Sequence, residues 1–207
     1  MFRILVVCTG NVCRSPMAEV MLRQQLQERL KDRAEDLSVS SAGTLGLIGE
    51  PIQPQARDLL LADLPAAQLR PGPHGLERDV FGFRARRLEP ELLDGVDLVL
   101  GAAREHRSAA VGMAPHLVCK AFTVLELARL AGPAARAIRA RDADPPPDVH
   151  GRQLVERAAA LRATVRPLHA DADDIPDPFG HQSDKFEQVA VQLRAAVESI
   201  VDGLGGH

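Results

Sequence analysis

One run of the chain limits its possible folds more than any other: "RILVVCTGNVCRSPMAEVML", residues Arg3 to Leu22. Ile4 to Val7 is a continuous apolar, β-branched run, the pattern of a strand covered on both faces. Ser15 to Leu30 then reads as a helix. Ser15 is placed to cap it, Pro16 suits its first turn, and Met17, Val20, Met21 and Leu26 form an apolar stripe. A buried strand that passes through a short polar loop into a helix is the opening unit of a parallel α/β sheet.

The rest of the chain continues that alternation. Leu37–Thr44 has the pattern of a second strand, Val96–Gly101 of a third and His116–Phe122 of a fourth. "GEPIQPQARDLLLADL" reads as a loop followed by a helix, and "EPELLDG" as a short helix ending at Gly95. Leu69–Gly82 is punctuated by Pro and Gly and is expected to be a loop. Residues 131–166 differ in character: alanine-arginine patterns flank "DPPPD", which predicts an insertion of two surface helices joined by a stiff proline turn. An acidic loop, "HADADDIPDPFGHQSD", precedes a last helix from about Asp184 to Leu204. The expectation is a single domain over 1–207 carrying that insertion.

Composition narrows the function. A net charge of −3 gives no support for nucleic-acid or membrane-surface binding. No segment approaches bilayer-spanning length, and the apolar run after Arg3 is too short for a secretory signal. Three cysteines in 207 residues do not make a disulfide scaffold. A cytoplasmic location is expected, where a cysteine is catalytic, regulatory or simply buried.

Cys8 stands at the end of the first strand, where α/β sheets bind ligands and helix N-termini point. Backbone amides and the helix dipole there attract anions, and the same field favours thiolate over thiol. Gly10 and Asn11 tolerate the positive φ of a loop that curls its amides inward. The planar fork of Arg14 suits two oxygens of a phosphoryl group. Ser15 offers a hydroxyl to the Cys8 sulfur. An inert buried thiol is the plain alternative for Cys8, but it predicts no particular loop around it.

Val7-Cys8-Thr9-Gly10-Asn11-Val12-Cys13-Arg14-Ser15-Pro16 resembles the signature of the low-molecular-weight protein tyrosine phosphatases. The likeness extends through "SAGT" (Ser41–Thr44), Arg84–Leu100 and "DPFG" (Asp177–Gly180). It implies a four-stranded parallel sheet with helices on both faces, no cofactor, and a phosphorylated protein as substrate. It also implies a phosphocysteine on Cys8, a transition-state clamp in Arg14 and an acid–base residue in Asp177. Thr9, Gly10, Asn11, Val12, Cys13, Ser15 and Phe179 would contact substrate. In some relatives a cysteine placed like Cys13 forms a reversible disulfide with the nucleophile.

Three departures stand out. Phe83 falls where the family often has a histidine supporting the loop asparagine, so Asn11 needs other partners. Leu47 falls at a rim position that is usually aromatic, which leaves Phe179 as the one obvious stacking ring. Cys119, placed in the fourth predicted strand, is expected to be inert. The aspartates around Asp177, namely Asp171, Asp173, Asp174 and Asp184, are read as a solvated loop. A calcium loop counted from Asp171 fails, because Pro176 and Gln182 occupy the positions that need Gly and Glu. Two other functions stay open: a phosphoprotein-binding module, and a thiol-linked arsenate reductase, for which only Cys119 is available downstream.

Overall fold

In the computed structural model, residues 1–62, 76–139, 145–169 and 171–205 are described. Four strands form one parallel sheet: β1 (Phe2–Cys8), β2 (Leu37–Gly43), β3 (Leu98–Gly101) and β4 (Ala121–Thr123). Their order is β2-β1-β3-β4. After β1 the chain moves to one side for β2 and to the other for β3. The carboxyl end of β1 is therefore the switch point at which open α/β sheets form their binding crevice.

Alternation along β1 divides the core in two. Ile4 and Val6 face a large cluster shared with α1 (Arg14–Leu30), α5 (Val124–Arg139), α6 (Pro147–Leu161) and α7 (Ser183–Leu204). Leu5 and Val7 face a smaller cluster with Leu93, Leu117 and Ala110, the last on α4 (Arg104–Met113). A strand buried on both faces has to be apolar throughout, which explains the run after Arg3. α2 (Pro54–Ala62) adds Ala56 and Leu60 to the larger cluster. Phe186, Val189, Leu193, Val197 and Ile200 form the buried side of α7, as its periodicity predicts.

Several expectations need correction. The first helix begins at Arg14, with Cys13 at its cap position and no side-chain capping bond, so Ser15 is not the cap. The predicted loop 69–82 contains α3 (Leu76–Phe81), and its 69–75 part lies outside the described residues. α3 is held by buried Val80 and by an ion pair from Asp79 to Arg23 of α1, 3.2 Å. His116–Phe122 is not a strand throughout. A 3-10 turn occupies Pro115–Leu117 and only Ala121–Thr123 pairs with β3, which leaves Cys119 exposed rather than in the core.

α5 and α6 are not surface helices either. Leu130, Ala134, Ile138, Leu154 and Ala158 all lie in the larger core cluster. The ring of Phe2 sits so close to Gly151 that a side chain there would meet it at 3.1 Å. His150 Nε2 lies 2.8 Å from the Gly203 carbonyl, tying α6 to α7. Pro145 and Pro146 lead into Pro147, the first residue of α6, and the rest of the expected proline turn, residues 140–144, lies outside the described residues. Alanine lets helices approach closely, so an alanine-rich pattern suits packed helices as well as exposed ones. Among the described residues, no helix is long and apolar enough to cross a membrane.

Candidate active site

The loop from Cys8 to Arg14 is shaped by where its carbonyls go. The Cys8 carbonyl accepts from Thr44 N–H (2.9 Å), that of Thr9 from Leu45 (3.0 Å), that of Gly10 from Leu47 (2.9 Å) and that of Val12 from Gln53 (2.9 Å). The peptide plane points each N–H opposite to its C=O. A loop whose carbonyls are tied outward to the 44–53 segment therefore turns its amides inward. Asn11 N–H shows the result, donating to Cys8 Sγ at 3.3 Å. Asn11 has φ 58°, the left-handed conformation its residue type suggests; Gly10 does not take a positive φ, which corrects that half of the expectation. Gly43 is the glycine this geometry requires, because a Cβ there would lie 2.6 Å from the Thr9 carbonyl oxygen.

Asn11 is held by three groups of the chain. Its amide donates to Ser15 Oγ and to Ser41 Oγ, each at 2.8 Å, and its Oδ1 accepts from Arg86 N–H at 2.9 Å. Ser41 in turn donates to Glu19, a buried carboxylate also paired with Arg23 at 2.7 Å. Burial pushes the Glu19 carboxyl above its ordinary range, against the pull of Arg23. Ser15 Oγ lies 3.0 Å from Cys8 Sγ. The Ser15 hydroxyl is therefore engaged inside the loop and not as a helix cap.

Arg14 is almost wholly buried, with 4% of its surface exposed. Its NH1 donates to the Ile175 carbonyl (3.0 Å), and its NH2 to Thr9 Oγ1 (3.1 Å) and Asp177 Oδ2 (2.6 Å). The Nε–H is buried with no protein partner. A buried guanidinium donor without an acceptor is costly, and an oxyanion would satisfy it. Cys8, Arg14 and Asp177 line one cavity of about 180 Å³, with Leu45, Leu47 and Phe179 beside them. Cys8 is itself 2% exposed, and Phe179 is half exposed at the rim. Burial and the neighbouring Cys8 and Asp177 charges push the Cys13 thiol up to about 12.

The acidic loop is anchored, not loosely solvated. Asp173 pairs with Arg129 of α5 (2.7 Å) and Asp174 with Arg104 at the start of α4 (2.7 Å). Ile175 N–H donates to the Ala102 carbonyl just beyond β3 (2.9 Å), and its side chain is buried. These three fastenings hold Asp177 over the loop. Phe179 N–H donates to Asp177 Oδ1 at 3.2 Å, a short-range bond that orients the carboxylate.

The sequence reading passed over His106, in the first turn of α4. Its Nδ1 accepts from Ala103 N–H (3.0 Å) and its Nε2 lies 2.9 Å from Thr9 Oγ1. Burial and then the Arg14 charge lower its pKa from 6.5 to about 4, so the ring is neutral. The local signal was only a histidine shortly after a strand; the contact with Thr9 spans 97 positions.

Residues 3–131 match the family model described as low molecular weight phosphotyrosine protein phosphatase. The low molecular weight protein-tyrosine-phosphatase Etp of Escherichia coli is 35% identical over 114 residues, covering 55% of this chain and 63% of that protein. The probable low molecular weight protein-tyrosine-phosphatase EpsP of Ralstonia solanacearum is 40% identical over 97 residues, covering 47% of this chain and 52% of the other. The matched stretch thus spans about half to three-fifths of these relatives' length. A low molecular weight protein tyrosine phosphatase from T. tengcongensis superposes with a TM-score of 0.63 at 24% identity, over 98% of this chain and 99% of that one. The YwlE arginine phosphatase from Geobacillus stearothermophilus gives 0.59 at 22% identity, over 98% and 92%. At those identities the structural likeness speaks for the fold.

Proposed function

The chain belongs to the low molecular weight phosphotyrosine protein phosphatase family, and from that premise we propose that it hydrolyses phosphomonoesters through a phosphocysteine, with phosphotyrosine in protein as the substrate. One observation carries the reading: Arg14, with an unpartnered buried Nε–H, and Asp177 share one small cavity with the Cys8 sulfur.

The steps follow from the residues. The inward-turned amides and the helix terminus stabilise the Cys8 thiolate and the incoming dianion alike. Arg14 exchanges its bond to Asp177 for phosphoryl oxygens and matches the charge spread of the transition state. Asp177, released from Arg14 and set beside the dianion, takes up a proton from solvent and gives it to the leaving phenolate as Sγ bonds to phosphorus and the P–O ester bond breaks. In the second step the same carboxylate takes a proton from the attacking water. The Ser15 hydroxyl, 3.0 Å from Sγ, stabilises the departing thiolate. Leu45, Leu47 and Phe179 give the substrate ring an apolar rim.

Under this reading Cys8, Arg14 and Asp177 are catalytic, and Thr9, Gly10, Asn11, Val12, Cys13, Ser15 and Phe179 hold substrate. The chain is one domain in which α5 and α6 are part of the packed body. It needs no cofactor and works in the cytoplasm.

Hydrolysis of para-nitrophenyl phosphate, a phosphotyrosine peptide and free phosphoarginine, with EDTA present, tests it. The expected result is turnover of the two aryl esters, abolished by Cys8→Ser and strongly reduced by Asp177→Ala. Preferred cleavage of phosphoarginine would move the substrate to the class named for YwlE. Binding of phosphopeptide without turnover would make the chain a recognition module, and thiol-dependent arsenate reduction would assign it to that third class.

A further inference from the structure

Thr9 carries a hydroxyl at the candidate site with two nitrogen groups against it. A threonine hydroxyl has one proton to donate and two lone pairs to accept with. Arg14 NH2 can only donate, so it takes one lone pair, at 3.1 Å. His106 decides the other. Its Nδ1 accepts the Ala103 N–H, so that nitrogen carries no proton and a neutral ring carries its proton on Nε2. Nε2–H then donates to Thr9 Oγ1, 2.9 Å away. Both lone pairs are filled. The one remaining direction of the hydroxyl is donation, and Thr9 lines the cavity with Cys8 and Arg14.

We propose that Thr9 donates its hydroxyl proton to a bound phosphoryl oxygen, and that His106 is the positioning residue that fixes the rotor of that hydroxyl. The inference rests on the reading of the loop as a phosphate site and assigns a side-chain donor beyond the backbone amides and Arg14. A freely turning threonine would lose part of its value as a donor to rotor entropy. Here the rotor is pinned by two N–H groups, one of them from a ring with 1% of its surface exposed.

The test is calorimetric titration of the intact chain with inorganic phosphate, for wild type, Thr9→Val, Thr9→Ser, His106→Phe and the double variant Thr9→Val/His106→Phe. A hydrogen bond to a charged acceptor corresponds to roughly 10- to 100-fold in affinity, so Thr9→Val should weaken phosphate binding by that factor. Thr9→Ser should recover most of the loss. His106→Phe should weaken binding, and the double variant should be no worse than Thr9→Val alone, because the histidine acts through the hydroxyl.

Phosphate affinity unchanged in Thr9→Val, or a double variant that loses the product of the two single effects, overturns the proposal. Nitrogen-15 NMR of the wild type checks the premise without any variant: the Nε2–H tautomer is expected, and Nδ1–H would overturn it. Because the titration reads binding, it separates from the phosphatase reading. A chain with these shifts that hydrolyses no ester refutes only the hydrolase, whereas turnover with an indifferent Thr9→Val refutes only this inference.

Discussion

Arg14 and Asp177, 163 positions apart, meet with NH2 at 2.6 Å from Oδ2, so the candidate clamp and the candidate acid hold each other. An arriving phosphate competes with Asp177 for that NH2. Removing the carboxylate should therefore have opposite effects on binding and chemistry. Asp177→Ala is expected to bind inorganic phosphate more tightly than wild type, while kcat for an aryl phosphate falls about 100-fold or more. Titration beside steady-state kinetics checks both; weaker phosphate binding in the variant would contradict the competition.

The anchors of the acidic loop should matter for rate more than for stability. Arg104 and Asp174 are partly solvent-exposed, and solvent screens such pairs so that they add little to folding. Yet Asp174 lies three residues before Asp177, and a small misplacement of a reacting group can cost up to about 100-fold. Arg104→Ala should melt near the wild-type temperature while kcat drops by roughly tenfold with KM little changed. Thermal melts and kinetics on the same preparation decide it.

Ser41 sits between the Asn11 amide and the buried Glu19 carboxylate, accepting from one and donating to the other. Ser41→Ala leaves two buried groups short of a partner, at a cost of about 1–3 kcal/mol each. Denaturant unfolding should show that loss. The loop held by Asn11 should loosen too, which reduces phosphate affinity.

His106 makes stability depend on pH. Its folded pKa, about 4, lies below its ordinary 6.5, so the unfolded chain binds the proton more readily. The neutral ring is fully tolerated above about pH 6.5, and stability drains away as pH falls toward 4. Arg14, Glu105, Asp177 and Asp174 are the charged groups that face it. His106→Phe should lack this step: the melting temperature of wild type should fall more than that of the variant between pH 6.5 and 4.

The three cysteines should alkylate differently. Cys119 is exposed and should react without regard to phosphate. Cys8 should react and be protected by phosphate, because it lines the cavity proposed to hold that anion. Cys13, with its thiol pushed up to about 12, should stay unmodified at pH 8 in the folded chain. Iodoacetamide labelling followed by peptide mass spectrometry gives the order.

What the sequence determined by itself was local. The apolar run Ile4–Val7, the polar loop and the helix after it specify a buried strand ending at Cys8, because strand burial, positive φ at Asn11 and helix propensity act over a few residues. The buried side of α7 was legible for the same reason. Tertiary structure decided which groups meet across long separations. It tied Thr9 to His106, gave Asn11 its partners in Ser41 and the Arg86 amide, and turned Asp173 and Asp174 into anchors. It also buried the alanine-rich helices that composition alone had suggested were exposed. Local rules state what a segment prefers, but partners are chosen by packing, which brings residues together without regard to their distance along the chain.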